Sequence, residues 1–183
     1  MILCAGQSEQ FNFATPIGIG MIEVAINLTQ LILLKKPDFL LFVGSAGSYG
    51  NQKIFDIIEV KNASNIENSF FNASAYSPIE NKILSSDYSI DIGVPRGTFV
   101  NSSNYITTDK SLGKFYIKEG IEIENMEYYS IAKVAEKFNI PVRGIFIITN
   151  YCDENAHQYF IKNHQKSIEK LTKYIINTNK EKL

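Results

Sequence analysis

The sequence predicts an α/β fold, a single-domain mixed sheet flanked by helices over residues 1–183, and three observations predict it. The chain has 183 residues of which 45% are hydrophobic, enough for one core and too few for two full domains. Apolar runs such as Phe39-Leu40-Leu41-Phe42-Val43 have the composition of strands buried on both faces. These runs alternate with segments of helical period, as strands do when helices cover a mostly parallel or mixed sheet.

Residues 2–5 read as a short first strand. The Gly-punctuated turn Pro16-Ile17-Gly18-Ile19-Gly20 follows. Ile22, Ala25, Ile26, Leu28 and Leu33 recur at helical spacing and predict a helix over 21–34. Lys35, Lys36 and Pro37 close it, because lysines suit the helix C-terminus and proline cannot continue the helix. A strand over 39–43 runs into Gly44-Ser45-Ala46-Gly47-Ser48, and a strand is expected over 54–60. Residues 61–77 are rich in Asn and Ser without a period and read as loop. A short helix is expected over 78–85, a strand over 97–101 and a helix over 110–119. A strand over 121–124 precedes an amphipathic helix over 126–138, with Ile131, Val134, Ala135 and Phe138 on one face. A strongly apolar strand over 142–148 and a long helix over 154–177 complete the pattern, the latter with Phe160, Ile161, Ile168, Leu171, Ile175 and Ile176 as its apolar positions.

Composition excludes several functions. Charged residues are 20% and the formal net charge is −1, so no basic bias marks a nucleic-acid binder. No apolar stretch is long enough to span a bilayer and the N-terminus lacks a signal-peptide pattern, so no membrane partner is expected. Cys4 and Cys152 form neither a disulfide framework nor a metal cluster; a reducing, cytoplasmic setting and a buried place for each fit. His157 and His164 lack the spacing and neighbours of a zinc site, and no metal or cofactor is expected. Arg96 and Arg143 are the only arginines.

Ligands in open α/β sheets bind beyond the carboxyl ends of strands. Three segments lie there: 44–48, 124–129 and 149–157. For Gly44 and Gly47 one reading is a tight turn needing glycine backbone freedom, the other a backbone cradle for a ligand oxygen. Glu127, at a helix start, suits the dipole, or accepts hydrogen bonds from a ribose diol. Asn150 is a turn residue, or an amide that donates to and accepts from a heterocycle without titrating. Tyr105 is a rim aromatic, or stacks on a base.

Together these pieces resemble the nucleoside phosphorylase superfamily, the group that includes methylthioadenosine/S-adenosylhomocysteine nucleosidase and purine nucleoside phosphorylase. The resemblance rests on Gly18-Ile19-Gly20 before a helix, on Val43–Ser48, on Glu124-Asn125-Met126-Glu127 opening a helix, and on Ile147-Ile148-Thr149-Asn150. It implies that Met126 lies against the ribose, Glu127 binds the 2′ and 3′ hydroxyls, Tyr105 stacks on the base, and Gly44, Ser45, Ala46 and Gly47 line the nucleophile side. Glu9 falls near the family's water-activating glutamate. Asn150 stands where adenine-directed members have a proton-donating aspartate; an amide there suits a 6-oxopurine. The family's phosphate arginine before the central glycines has no counterpart in residues 39–43, which favours water over phosphate as the nucleophile. The stretch before the Gly-Ile-Gly turn is shorter than in typical members.

The resemblance thus implies cleavage of the N-glycosidic bond of a purine nucleoside, with water or phosphate as co-substrate, by a homo-oligomer. The alternative is a non-catalytic nucleoside-binding protein on the same fold.

Overall fold

The structure, a computed structural model, describes residues 1–84 and 98–180, and the side chains of all of these except Asn179 and Lys180. The chain runs β1 (Ile2–Cys4), β2 (Thr15–Pro16), α1 (Met21–Lys35), β3 (Leu40–Ser48), β4 (Ile57–Val60), β5 (Asn62–Ser64), α2 (Asn68–Phe71), β6 (Lys82–Ile83) and β7 (Phe99–Ser102). A 3₁₀ turn (Lys110–Leu112) leads into α3 (Gly113–Lys118), then β8 (Ile121–Asn125), α4 (Tyr128–Lys137), β9 (Val142–Tyr151) and α5 (Ala156–Lys180). The expected α/β mixed sheet flanked by helices is what forms.

Among the described residues one nine-stranded sheet collects every strand, in the order β2-β1-β3-β8-β7-β5-β6, with β9 on the other side of β3 and β4 beyond it. Strand β3 organises the molecule. Leu40 and Phe42 point into a core with Val24, Leu28 and Ile32 of α1 and Ile131 and Ala135 of α4. Leu41 and Val43 alternate onto the opposite face, against Leu171 and Ile175 of α5. This is the period-2 alternation of a strand covered on both faces. A third cluster, with Tyr49 stacked on Tyr116 at 4.1 Å, sits under α3.

One edge of β3 is shared by two strands. β1 pairs with it in parallel, through Ile2↔Leu41 and Leu3↔Phe42. β8 pairs with it antiparallel, through Gly47↔Glu124 and Ser48↔Ile123. The edge changes partner across residues 43–46. Here β1 has turned away and β8 has not yet arrived, which leaves a gap of the kind that open α/β sheets use for ligands.

Several expectations need correction. Residues 44–48 are not a tight turn: they continue β3, and neither Gly44 nor Gly47 has a positive φ. Residues 61–77, read as loop, contain β5 and α2; the three residues of β5 are too few to show a period. Residues 82–83 of the expected 78–85 helix form β6, pairing antiparallel with β5; Ser85 of that segment, Gly97 of the expected 97–101 strand, and Arg96 lie outside the described residues. In α1 the buried face is Val24, Leu28 and Ile32, while Ile22, Ile26 and Leu33, three of the residues that predict the helix, are more than half exposed. In α5 Ile161 is exposed, and the buried positions include Asn163 and Ser167. Among the described residues no helix is long and apolar enough to cross a membrane.

Candidate active site

A cavity of about 300 Å³ opens at the gap in the β3 edge. That is the lower end of the size range of small-molecule sites. Its floor is Ser45, Ala46 and Gly47. Ala5, Gly6, Ser8 and Glu9 close one side, Glu124 to Glu127 another, and Asn150 with Ala156, His157 and Phe160 a third, while Ile19, Tyr105 and Ile106 stand at its rim.

Glu9 reaches the floor through a tight turn after β1, in which Gly6 has φ +98° and the Glu9 N–H donates to the Gly6 carbonyl at 2.9 Å. Its carboxylate accepts from the Ser45 hydroxyl and from the Ser45 N–H. Gly44 lies behind this pair and not on the cavity wall. A Cβ there would come within 3.1 Å of Glu9 Oε2 and 3.0 Å of the Phe42 ring. Glycine at 44 thus makes room for the carboxylate instead of touching a ligand.

Glu127 is held by three donors. The Gly20 N–H donates to Oε1 at 3.1 Å; the Asn125 amide at 2.6 Å and the Met126 N–H at 3.2 Å donate to Oε2. Asn125 also caps α4, its Oδ1 accepting from the Glu127 and Tyr128 N–H groups. The Gly-Ile-Gly turn therefore has a use beyond starting α1: with φ +79°, Gly20 aims its N–H at Glu127. Burial pushes the Glu127 carboxyl up to about 7, with the Glu9 charge adding to the shift and the hydrogen bonds from Gly20, Asn125 and Met126 opposing it.

Asn150 is turned into the cavity by an irregularity in β9. Ala46 pairs with Ile148 but Gly47 pairs with Asn150, leaving Thr149 as the extra residue of a bulge. Bulges re-aim side chains in this way near functional sites. The Thr149 hydroxyl donates to Asn150 Oδ1 at 2.8 Å, and the Asn150 amide donates to the Tyr151 carbonyl at 3.0 Å. That bond uses one of two amide hydrogens and leaves the other for a ligand. Asn163 of α5 ties the bulge down by donating to the Thr149 carbonyl at 2.8 Å.

The fold thus brings Glu9, Ser45, Ala46, Gly47, Tyr105, Met126, Glu127 and Asn150 to one cavity, with Gly44 behind its wall. Tyr105 is largely exposed at the mouth, where it stacks on no protein ring among the described residues. Sequence reasoning missed Glu124, which is buried on the wall and accepts from the Thr107 N–H at 2.9 Å and the Tyr49 hydroxyl at 2.8 Å. Burial raises its carboxyl above the ordinary range. It also missed His157 and Phe160, because the first turn of α5 reads from sequence only as an amphipathic start. Among the described residues the wall carries three carboxylates and neither lysine nor arginine. Arg143 is elsewhere, 3.5 Å from Glu59 and over the Phe39 ring. Also among the described residues, no group of three or more His, Cys, Asp or Glu is placed to hold a metal ion.

A sequence model of the phosphorylase superfamily matches residues 5–178. The chain belongs to that superfamily. Solved structures with the same fold as this superfamily member include the native futalosine hydrolase of Helicobacter pylori, at 20% identity and TM-score 0.78, over 98% of this chain and 96% of that one. A mutant 5′-methylthioadenosine/S-adenosylhomocysteine nucleosidase of Helicobacter pylori, with 5′-methylthioadenosine in its active site, matches at 22% identity and TM-score 0.74, over 92% and 79% of the two chains. The corresponding nucleosidase of Colwellia psychrerythraea, in complex with adenine, matches at 14% identity and TM-score 0.74, over 96% and 92%.

Proposed function

We propose that this phosphorylase-superfamily protein hydrolyses the N-glycosidic bond of a purine nucleoside, with a preference for 6-oxopurines. The observation that carries the reading is the convergence of Glu127, Asn150 and the Glu9–Ser45 pair on one cavity. Three positions then serve the three parts of a nucleoside hydrolysis: sugar, base and incoming water.

The ionised Glu127 accepts from the ribose diol. Asn150 offers an N–H to the base, and its amide suits the O6 and N7 acceptors of a 6-oxopurine without any proton transfer. Charge on the departing base is stabilised by this fixed dipole, an interaction that gains strength as the bound nucleoside displaces water. Met126 packs under the sugar and Tyr105 closes over the base from the rim. Glu9, fixed by Ser45, takes the proton from water as its oxygen adds to C1′. Water is favoured over phosphate because, among the described residues, the wall carries the Glu9 carboxylate and neither lysine nor arginine to hold an anion. The structural neighbours named above carry methylthioadenosine, adenosylhomocysteine and futalosine in their names, so a 5′-substituted nucleoside belongs in the substrate panel.

The test is incubation with inosine, guanosine, adenosine, methylthioadenosine and uridine, with and without phosphate, following free base by chromatography. Release from inosine or guanosine, independent of phosphate, is expected; release from none of the panel ends the enzymatic reading. The alternative of a binder without turnover draws on Asn150, an amide with no acidic proton, and predicts a nucleoside-dependent rise in melting temperature without base release. Asn150→Asp should move the preference toward adenosine, read as the ratio of kcat/KM for adenosine and inosine.

A further inference from the structure

We propose that Glu124, set across Gly47 from Asn150 on the cavity wall, is the general acid that protonates the departing purine. This rests on the nucleosidase reading above. Asn150 carries no acidic proton, so a purine leaving under its influence alone departs as an anion. Protonation of a leaving group contributes about 10²–10⁴ in rate, and the wall holds one further carboxyl across Gly47 from Asn150.

The placement is set by the backbone. Glu124, Gly47 and Asn150 are cross-strand neighbours in one row over β8, β3 and β9. The middle residue has no side chain. A Cβ on Gly47 would lie 2.9 Å from Asn150 Nδ2 and 3.4 Å from Glu124 Cγ, so both side chains stand on the same face, flanking the space above the glycine. A base held by Asn150 over Gly47 lies beside Glu124.

The carboxyl is held from behind. The Thr107 N–H, which only donates, occupies Oε1 at 2.9 Å, and the Tyr49 hydroxyl approaches Oε2 at 2.8 Å. The acidic proton of the neutral form therefore sits on Oε2. Its surroundings are the aromatic pair Tyr49 and Tyr116 and the Cys152 thiol, all buried. Burial among them favours the neutral acid and raises the carboxyl, against the hydrogen bonds from Thr107, Tyr49 and Cys152, which favour the ionised form.

In the step, the C1′–N bond breaks with its electron pair going to the purine, and the Glu124 O–H gives its proton to a purine ring nitrogen. Water adds its oxygen to C1′ and leaves a proton on Glu9. Free base and free sugar depart with Glu124 ionised and Glu9 protonated, and exchange with solvent restores both.

The experiment compares two substrates in wild type and Glu124→Gln: inosine, whose base needs a proton, and 4-nitrophenyl β-D-ribofuranoside, whose phenolate does not. The variant should lose at least 100-fold in kcat on inosine and stay within about threefold of wild type on the nitrophenyl riboside. Equal losses on both, or no loss on inosine, overturn the proposal. So does a wild type that cleaves inosine but not the better leaving group. If wild type releases neither base nor nitrophenol, the nucleosidase reading itself has failed. Should Glu124→Gln not fold, Glu124→Asp keeps the acid one methylene short and takes the same assay with the same criteria.

Discussion

At the scale of single residues, the site is governed by carboxylates taken out of water. Glu127 is the clearest, lifted by burial from 4.5 to about 7. Between those values the folded protein holds a proton that the unfolded chain releases. This contribution to stability is complete below about pH 4.5 and is lost as pH rises through 7, with a ceiling on the order of 3 kcal/mol. The melting temperature of wild type should therefore fall from pH 5 to pH 8, and Glu127→Gln should flatten that fall; parallel curves would refute it. The same substitution removes the anion that accepts from the ribose, so kcat/KM should drop tenfold or more. Glu127 and Asn150 were legible in the sequence because each sits in a motif with a stated use. Glu124 was not. Ile121-Glu122-Ile123-Glu124 alternates like a strand with one wet face, whereas β8 is interior and Glu124 is buried. Alternation distinguishes two faces without saying which of them meets water.

At the scale of elements, the two glycines of β3 are spacers. Gly47→Ala places a methyl 2.9 Å from Asn150 Nδ2, 3.0 Å from Cys152 Sγ and 3.4 Å from Glu124 Cγ. Overpacking of this kind costs about 1–3 kcal/mol. We expect a folded protein, by circular dichroism, whose base release falls at least tenfold because the flanking side chains are forced apart. Asn163→Leu tests the anchor between α5 and the β9 bulge. It leaves the Thr149 carbonyl unpaired, a loss of about 1–3 kcal/mol in urea unfolding. The helices show where reading by period fails. In α1 the exposed Ile22, Ile26 and Leu33 recur at helical spacing, as do the buried Val24, Leu28 and Ile32. Two apolar stripes at helical spacing leave the inward face undecided until the sheet is known.

At the scale of the whole molecule, the fold class was legible from alternating apolar strands and helices, and the pairing was not. No local pattern says that β1 and β8 share one edge of β3, or that the cavity lies where they exchange. A ligand filling that gap bridges segments from both ends of the chain and should stabilise all of them together. A nucleoside at 100 times its dissociation constant contributes about 2.7 kcal/mol. We expect a rise of several degrees in melting temperature with inosine or its base, measured fast enough to precede turnover, and none with uridine.

The shared edge of β3 also sets a timetable for synthesis. Residues 2–9, 45–47, 124–127 and 150 leave the ribosome in that order, and the bulge bearing Asn150 is pinned only when Asn163 has emerged. A nascent chain halted at the end of α4 has Glu127 but lacks β9 and Asn150, so it has no partial activity to display. Contacts this distant in sequence close slowly, and residue 163 must have emerged before the first substrate finds a place to bind.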